Sequence, residues 1–199
     1  MKTRKLILNV GCGKTRIPGS VGVDNQKIDN FVDIVHDLNT VPYPFKKNSI
    51  DEIHLYHVLE HLSNPLSKLE ELHRILKKDG LLYIRVPHFS SLAGFTDITH
   101  IRPFGYLSFD IFEKKHPQHY YTKVCFKILK KEIKYFGLYP NDGVYAQYIH
   151  PNSCALPLRP IVRLINYCIR LSPIVFERFW AYWVGGAGEI VITLKKQQS

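Results

Sequence analysis

The chain predicts an α/β fold carried by a largely parallel sheet. Three observations lead there. Short apolar runs recur along the chain and break at glycine, proline or a carboxylate; crossovers separate them; and the run Leu6–Val10 ends in Gly11-Cys12-Gly13, followed about a dozen residues on by Val21-Gly-Val-Asp24. In an open parallel sheet, ligands sit beyond the carboxyl ends of the strands. Glycines there let the backbone come close to a ligand, and an acid at the next strand end can accept from ribose hydroxyls. The pair of signals predicts a bound nucleoside.

Taken in order, Lys5–Val10, Val21–Asp24, Asp33–Asp37 and Ser49–Leu55 read as the first four strands. Asn64-Pro65 then opens a helix with proline in its first turn. Leu66, Leu69, Leu72, Ile75 and Leu76 follow helical spacing, and Asp79-Gly80 is the expected stop. Gly80–Val86 is the fifth strand, closed by Pro87; Phe126–Phe136 and Glu189–Leu194 are the sixth and seventh, the last one antiparallel. Only Lys14–Ser20 separates the glycine turn from the second strand. A parallel crossover normally takes a dozen residues or more, so the first helix is expected to be shortened or absent. The 199 residues fit a single domain, 1–199, with a helical insertion or lid over 139–186 before the last strand.

The formal charge of +10 points to acidic partners, although solubility alone also accounts for it. Four cysteines without Cys-x-x-Cys spacing are expected to be free thiols in a reducing compartment. The apolar run after Met1-Lys-Thr-Arg-Lys is too short for a secretory signal, and no apolar stretch approaches the ~20 residues of a spanning helix. A cytoplasmic protein, peripheral to the inner membrane face at most, is expected.

Six segments stand in order within about eighty residues: Asn9-Val-Gly-Cys-Gly13, Gly22-Val-Asp24, His36-Asp-Leu38, Phe45–Asp51, His57-Val-Leu-Glu-His-Leu62 and Leu72–Leu81. Together they resemble the class I S-adenosylmethionine-dependent methyltransferases, in the branch with Leu-Asn-Val-Gly-Cys-Gly and Val-Leu-Glu-His motifs. The resemblance spans Lys5–Val86 and extends more weakly to Leu194. It implies a Rossmann-like sheet and S-adenosyl-L-methionine as cofactor. Val10, Gly11, Cys12 and Gly13 would line the methionine portion, Asp24 would hold the ribose with Asn25 beside the adenine, Asp37 and Leu38 would meet the adenine edge, and His57 would lie near the sulfonium. The first motif departs from the fullest family form in having Asn9 where an acid often sits and Thr15 where a third glycine would be.

His57-Val-Leu-Glu-His61 also fits His-x-x-Glu-His, which on a helix would set two imidazoles on one face for Zn²⁺. The segment directly follows a strand, and nothing downstream offers a third ligand at helical spacing. No metal is therefore expected, and Glu60 and His61 read as a cap pair or as part of the acceptor pocket.

Beyond the fifth strand, Pro87-His-Phe-Ser-Ser91 and Thr96-Asp-Ile-Thr-His-Ile-Arg-Pro-Phe104 concentrate polar chemistry in a loop rich in Phe and Ile. The spacing Asp-x-Thr-His-x-Arg-x-Phe resembles methyltransferases associated with sugar and cell-surface glycan modification. A hydroxyl acceptor must lose a proton as it attacks, which suits a neutral imidazole. His88 and His100 are the candidate bases, and Asp97 orients His100. His61, Phe89, Arg102 and Phe104 are candidate acceptor contacts, with Arg102 either holding an acid of the acceptor or pairing with Asp97.

Lys114–Lys134 carries seven lysines and one acid; such a run is a solvated face or, as the second choice, a nucleic-acid contact. Leu158–Leu171 is sharply amphipathic, and Phe176, Phe179, Trp180, Tyr182 and Trp183 follow Ser172-Pro173. Segment 158–184 is thus a lid, a homodimer interface or a peripheral membrane contact. The reading is an S-adenosylmethionine-dependent methyltransferase that O-methylates a sugar or glycan precursor. RNA methylation and a non-catalytic cofactor-binding or assembly role are the alternatives.

Overall fold

A computed structural model describes residues 5–91, 93–135, 159–184 and 186–197. Seven strands form one sheet in the order β3-β2-β1-β4-β5-β7-β6. They are β1 (Ile7–Val10), β2 (Ser20–Asp24), β3 (Ile34–Val35), β4 (Ile50–Tyr56), β5 (Leu76–Pro87), β6 (Phe126–Tyr135) and β7 (Ala187–Lys196). The first five pair in parallel, while β7 runs antiparallel between β5 and β6. This is the expected Rossmann-like, mostly parallel sheet with a reversed last strand. Of the expected insertion, 139–158 lies outside the described residues, as do Phe136 and Cys154.

No helix joins β1 to β2. The short turn is held instead by Arg16, whose guanidinium donates to the Ser20 and Asn30 carbonyls and to the Asp33 carboxylate at 2.7 Å. Asn9, 1% exposed, donates to the Thr15 carbonyl at 3.0 Å. A neutral amide at that position supplies the donor that a buried carbonyl needs, which an ionised acid could not.

Helix α1 (Pro65–Ile75) starts where Asn64 accepts from the Ser67 amide. Leu69, Leu72 and Ile75 are buried in the main core with the strand residues Leu8, Ile53, Leu55, Leu82 and Ile84. The helix stops at Ile75, short of the expected Asp79-Gly80, because Leu76 already pairs with Ile50 as the first residue of β5. Asp79, at φ +63°, lies inside that strand, where the register slips between Ile50 and Glu52. Lys196 closes this end of the helix: its Nζ donates to the His73 and Leu76 carbonyls and to Asn48 Oδ1 at 2.7–2.8 Å, which satisfies carbonyls the helix itself leaves open.

After a short helix α2 (Ala93–Thr96) and the 97–125 loops, α3 (Arg159–Leu171) lays Ile169 and Ile165 on Ile133 of β6 and Ala187 of β7. A further helical segment, 173–181, leads into β7.

Glycine is required most strictly at Gly22. A Cβ there would lie 2.0 Å from the Phe31 carbonyl oxygen, a backbone atom that cannot turn aside. Gly19, at φ +77°, has open space around it. Urea denaturation should show Gly22→Ala costing about 3 kcal/mol or preventing folding, and Gly19→Ala costing about 1 kcal/mol through backbone strain alone. Equal effects of the two would contradict this.

Candidate active site

The carboxyl ends of β1, β2 and β3 are stitched together by backbone and carboxylate hydrogen bonds. The Gly11 amide, at φ +66°, donates to the Val23 carbonyl at 2.8 Å, and the Gly13 amide, at φ +51°, donates to Asp24 Oδ2 at 2.7 Å. The other oxygen of Asp24 accepts from the Asn25 amide. The His36 amide donates to the Asp24 carbonyl at 2.8 Å, which brings the end of β3 alongside. Asp37, exposed, shapes the next turn by accepting from the Asn39 amide and the Thr40 hydroxyl. Gly11, Asp24 and Asp37 therefore follow one another along one edge of the sheet. A Cβ on Gly11 would collide with Val58 at 2.3 Å, whereas a Cβ on Gly13 would meet nothing within 4 Å. The turn is tight against Val58, just after β4, on one side and open on the other. Val10, Cys12 and Leu38 turn their side chains into the protein; burial, then the nearby Asp24 charge, pushes the Cys12 thiol up to about 11.

His57 follows β4 at φ +55°. Its Nε2 lies 3.2 Å from Glu189 and its Nδ1 3.4 Å from Glu60. Burial opposes charge on the ring, but the two carboxylates outweigh it and raise His57 to about 9. Glu189, 1% exposed, also takes a two-pronged contact from Arg85, with Nη2 at 2.7 Å and Nε at 3.1 Å. Arg85 and Glu189, expected only as strand residues, are thus part of the site. The available signal was a charge inside each of two otherwise apolar strands, Leu-Tyr-Ile-Arg-Val and Glu-Ile-Val-Ile.

The turn Leu59–His61 follows directly, and the Ile101 amide donates to the Glu60 carbonyl at 2.9 Å, docking the 97–104 loop on it. His61 and His100 meet with ring centroids 4.6 Å apart. His100 Nδ1 lies 3.3 Å from the Gly94 carbonyl, and its Nε2 is 3.9 Å from Glu60 and 3.7 Å from Asp97. The Thr99 hydroxyl and amide hold Asp97 below the usual carboxylate range. Asp97, His100, His61 and Glu60 thus form one cluster next to the Gly11 turn, joined to it through Val58.

Other expected acceptor residues sit elsewhere. His88 is fully buried, with Nδ1 on Ser90 and Nε2 3.1 Å from Glu177, so both nitrogens are engaged and it is not placed to act as a base. Phe104 is 7% exposed and stacks on Phe109 in the core, because its carbonyl pairs with the Phe89 amide and fixes its side chain inward. Phe89 is half-buried against the His88 ring. Arg102 does not pair with Asp97; it donates to the Ser63 carbonyl at 2.7 Å and clamps the loop. Two surface concavities, of about 470 and 490 Å³, lie at the opposite end of the sheet, beside Arg16 and Asp33 and beside Lys78 and Lys195.

Residues 18–84 match a family model described as a methyltransferase domain. No curated protein matches. Among solved structures, the chain is similar to a SAM-dependent methyltransferase from Archaeoglobus fulgidus, with 20% identity and a TM-score of 0.55 over 98% of this chain and 87% of that one. It is also similar to coclaurine N-methyltransferase bound to N-methylheliamine and SAH, at 15% identity and a TM-score of 0.52 over 98% and 69% of the two chains. The [4+2]-cyclase SpnF aligns at 17% identity and a TM-score of 0.54 over 98% and 75%. The matched segment, the sheet order and the glycine-and-acid edge give the chain the fold of the class I S-adenosylmethionine-dependent methyltransferases, with a methyltransferase-domain match over residues 18–84.

Proposed function

We propose that the enzyme transfers a methyl group to a hydroxyl of a sugar or glycan precursor. The observation that carries this reading is the His100–Asp97 pair beside the glycine turn. The carbonyl of Gly94 can only accept, so His100 Nδ1 is the protonated nitrogen and Nε2 is left as a proton acceptor. Asp97 at 3.7 Å stabilises the imidazolium that forms.

The residues of the glycine turn fit the cofactor. The space beside Gly13 accepts the methionine portion, Gly11 and Cys12 supply a close backbone, Asp24 keeps lone pairs for ribose hydroxyls, and Asn25, Asp37 and Leu38 lie on the adenine side. His57, pinned between Glu189 and Glu60, acts as a fixed cation that orders the floor of the site. S-adenosylmethionine, when bound, supplies a methyl group already made electrophilic by its sulfonium. The protein aligns the acceptor oxygen with it, and alignment of this kind can account for ~7–11 kcal/mol of a barrier.

An RNA acceptor is the second reading. Against it, Lys130, Lys131 and Lys134 of the basic run are already in ion pairs with Glu132 and Asp110. No helix among the described residues is long and apolar enough to cross a membrane. Leu164, Leu171, Phe179 and Trp183 are nevertheless more than 60% exposed, with Arg163, Arg170 and Arg178 exposed nearby. Large apolar surface rimmed by arginine supports a peripheral contact with anionic lipid.

Three outcomes test this. Calorimetry with S-adenosylhomocysteine should find Asp24→Ala weaker by about 1–3 kcal/mol with the circular dichroism unchanged. Radiolabelled methyl transfer to a panel of nucleotide-activated sugars should fall ~10²–10⁴-fold in His100→Ala; a loss under threefold removes His100 from the chemistry, and transfer only to RNA, with a steep salt slope, favours the rival. In flotation with anionic vesicles the protein should rise with the lipid, and the double variant Phe179→Glu, Trp183→Glu should stay below.

A further inference from the structure

We propose that Glu60, His61 and His100 form a binding site for one divalent transition-metal ion, Zn²⁺ in the first instance. The inference goes beyond methyl transfer and does not depend on which acceptor is used. The sequence motif His57-x-x-Glu60-His61 suggested a different set. The structure commits His57 to Glu189 and brings in His100 from the distant loop as the missing third group.

Four features converge. One ligand atom from each of the three residues lies within 4.8 Å of the others. Tetrahedral Zn²⁺ with bonds of about 2.1 Å separates its ligands by about 3.4 Å, so side-chain shifts of about an ångström close the site. Next, Glu60 is 1% exposed, and neither of its carboxylate oxygens has a hydrogen-bond partner. The His57 ring, 3.4 Å from Oε1, is the nearest positive group, and Oε2 has no donor. The His57 ion pair serves Oε1 alone; burying Oε2 without a donor is costly, and a cation on that side offsets the cost.

The two imidazoles supply the rest. The Thr99 hydroxyl has one hydrogen, which it donates to Asp97 Oδ1 at 2.6 Å. Its 2.9 Å contact with His61 Nδ1 is therefore donated by the ring, and His61 Nε2 carries a lone pair. His100 is fixed in the same sense, Nδ1–H to the Gly94 carbonyl and Nε2 bare. Holding the distal N–H of each ring on an oxygen is how metal-ligating histidines are oriented. Two imidazoles and one carboxylate suit Zn²⁺ and its first-row neighbours, not Mg²⁺ or Ca²⁺, which take oxygen ligands. Three protein ligands leave coordination positions open. In the loaded site His100 is a ligand and no longer a base, and the ion lowers the pKa of a hydroxyl oxygen bound in an open position.

The test uses the full chain, stripped with chelator and titrated with Co²⁺, read by calorimetry and by the visible absorption of the ion. One ion per chain is expected, displaced by Zn²⁺. Glu60→Gln and His61→Ala should each weaken it at least tenfold, and Thr99→Val, which removes the oxygen orienting His61 and a donor to Asp97 but no ligand, about tenfold. No saturable binding, or binding unchanged in these variants, overturns the site and leaves only adventitious histidine contacts. Should Glu60→Gln fail to fold, Thr99→Val at its exposed loop position decides. S-adenosylhomocysteine titration of the same samples separates the two readings: cofactor binding without Co²⁺ binding rejects the metal site and leaves the methyltransferase assignment standing.

Discussion

The buried ion chain Arg85–Glu189–His57–Glu60 is the interaction on which the site depends. It joins β5, β7, the end of β4 and the turn after it, and it does so with charges taken out of water. Removing one member of such a set costs about 3–5 kcal/mol, because the partner is left buried and unpaired. An apolar replacement of the whole set could be equally stable, so stability alone does not account for it. Its effect is positional: the chain holds His57 in a left-handed backbone conformation and aims Glu60 toward the loop that carries His100.

The second constraint is the narrow spacing of β1 and β2. With no helix between them, the glycine turn has to be secured by side chains, and Arg16, Asn9 and Asp24 each tie it to backbone. Asp24 thereby has two duties, bracing the Gly13 amide and offering lone pairs along the open edge. A conventional helix N-terminus would have offered free amides there; here the Gly11 and Cys12 amides are spent on the Val23 carbonyl and the Gly13 amide on Asp24.

The strands and the glycine-and-acid edge were legible in the sequence because they rest on local signals: apolar runs of strand length, glycine at positive φ, an acid at a strand end. The helix end was misplaced by four residues, since Asp79-Gly80 has the chemistry of a stop, and only the pairing of Leu76 with Ile50 shows that the strand has already begun. Arg85 and Glu189 were legible only as a stray charge in each of two apolar strands, not as a pair. They lie 104 residues apart, and nothing in either neighbourhood names the other. His88 and Phe104 were assigned to the acceptor side by their loop, but loop membership does not give side-chain direction, and a bridge between these two residues turns both inward. His100 and Asp97 were legible as a pair; Glu60 as their neighbour depended on the Ile101 amide docking across the turn.

The reversed strand β7 fills the gap between β5 and β6, although it is the last of the seven along the chain. A nascent polypeptide emerging in order would expose both flanking edges until residues 187–196 arrive. Glu189 comes with that segment, so His57 and Arg85 wait for their counter-charge to the end. Assembly of this ion chain is then a late, long-range event in folding, set by contact order rather than by any local turn.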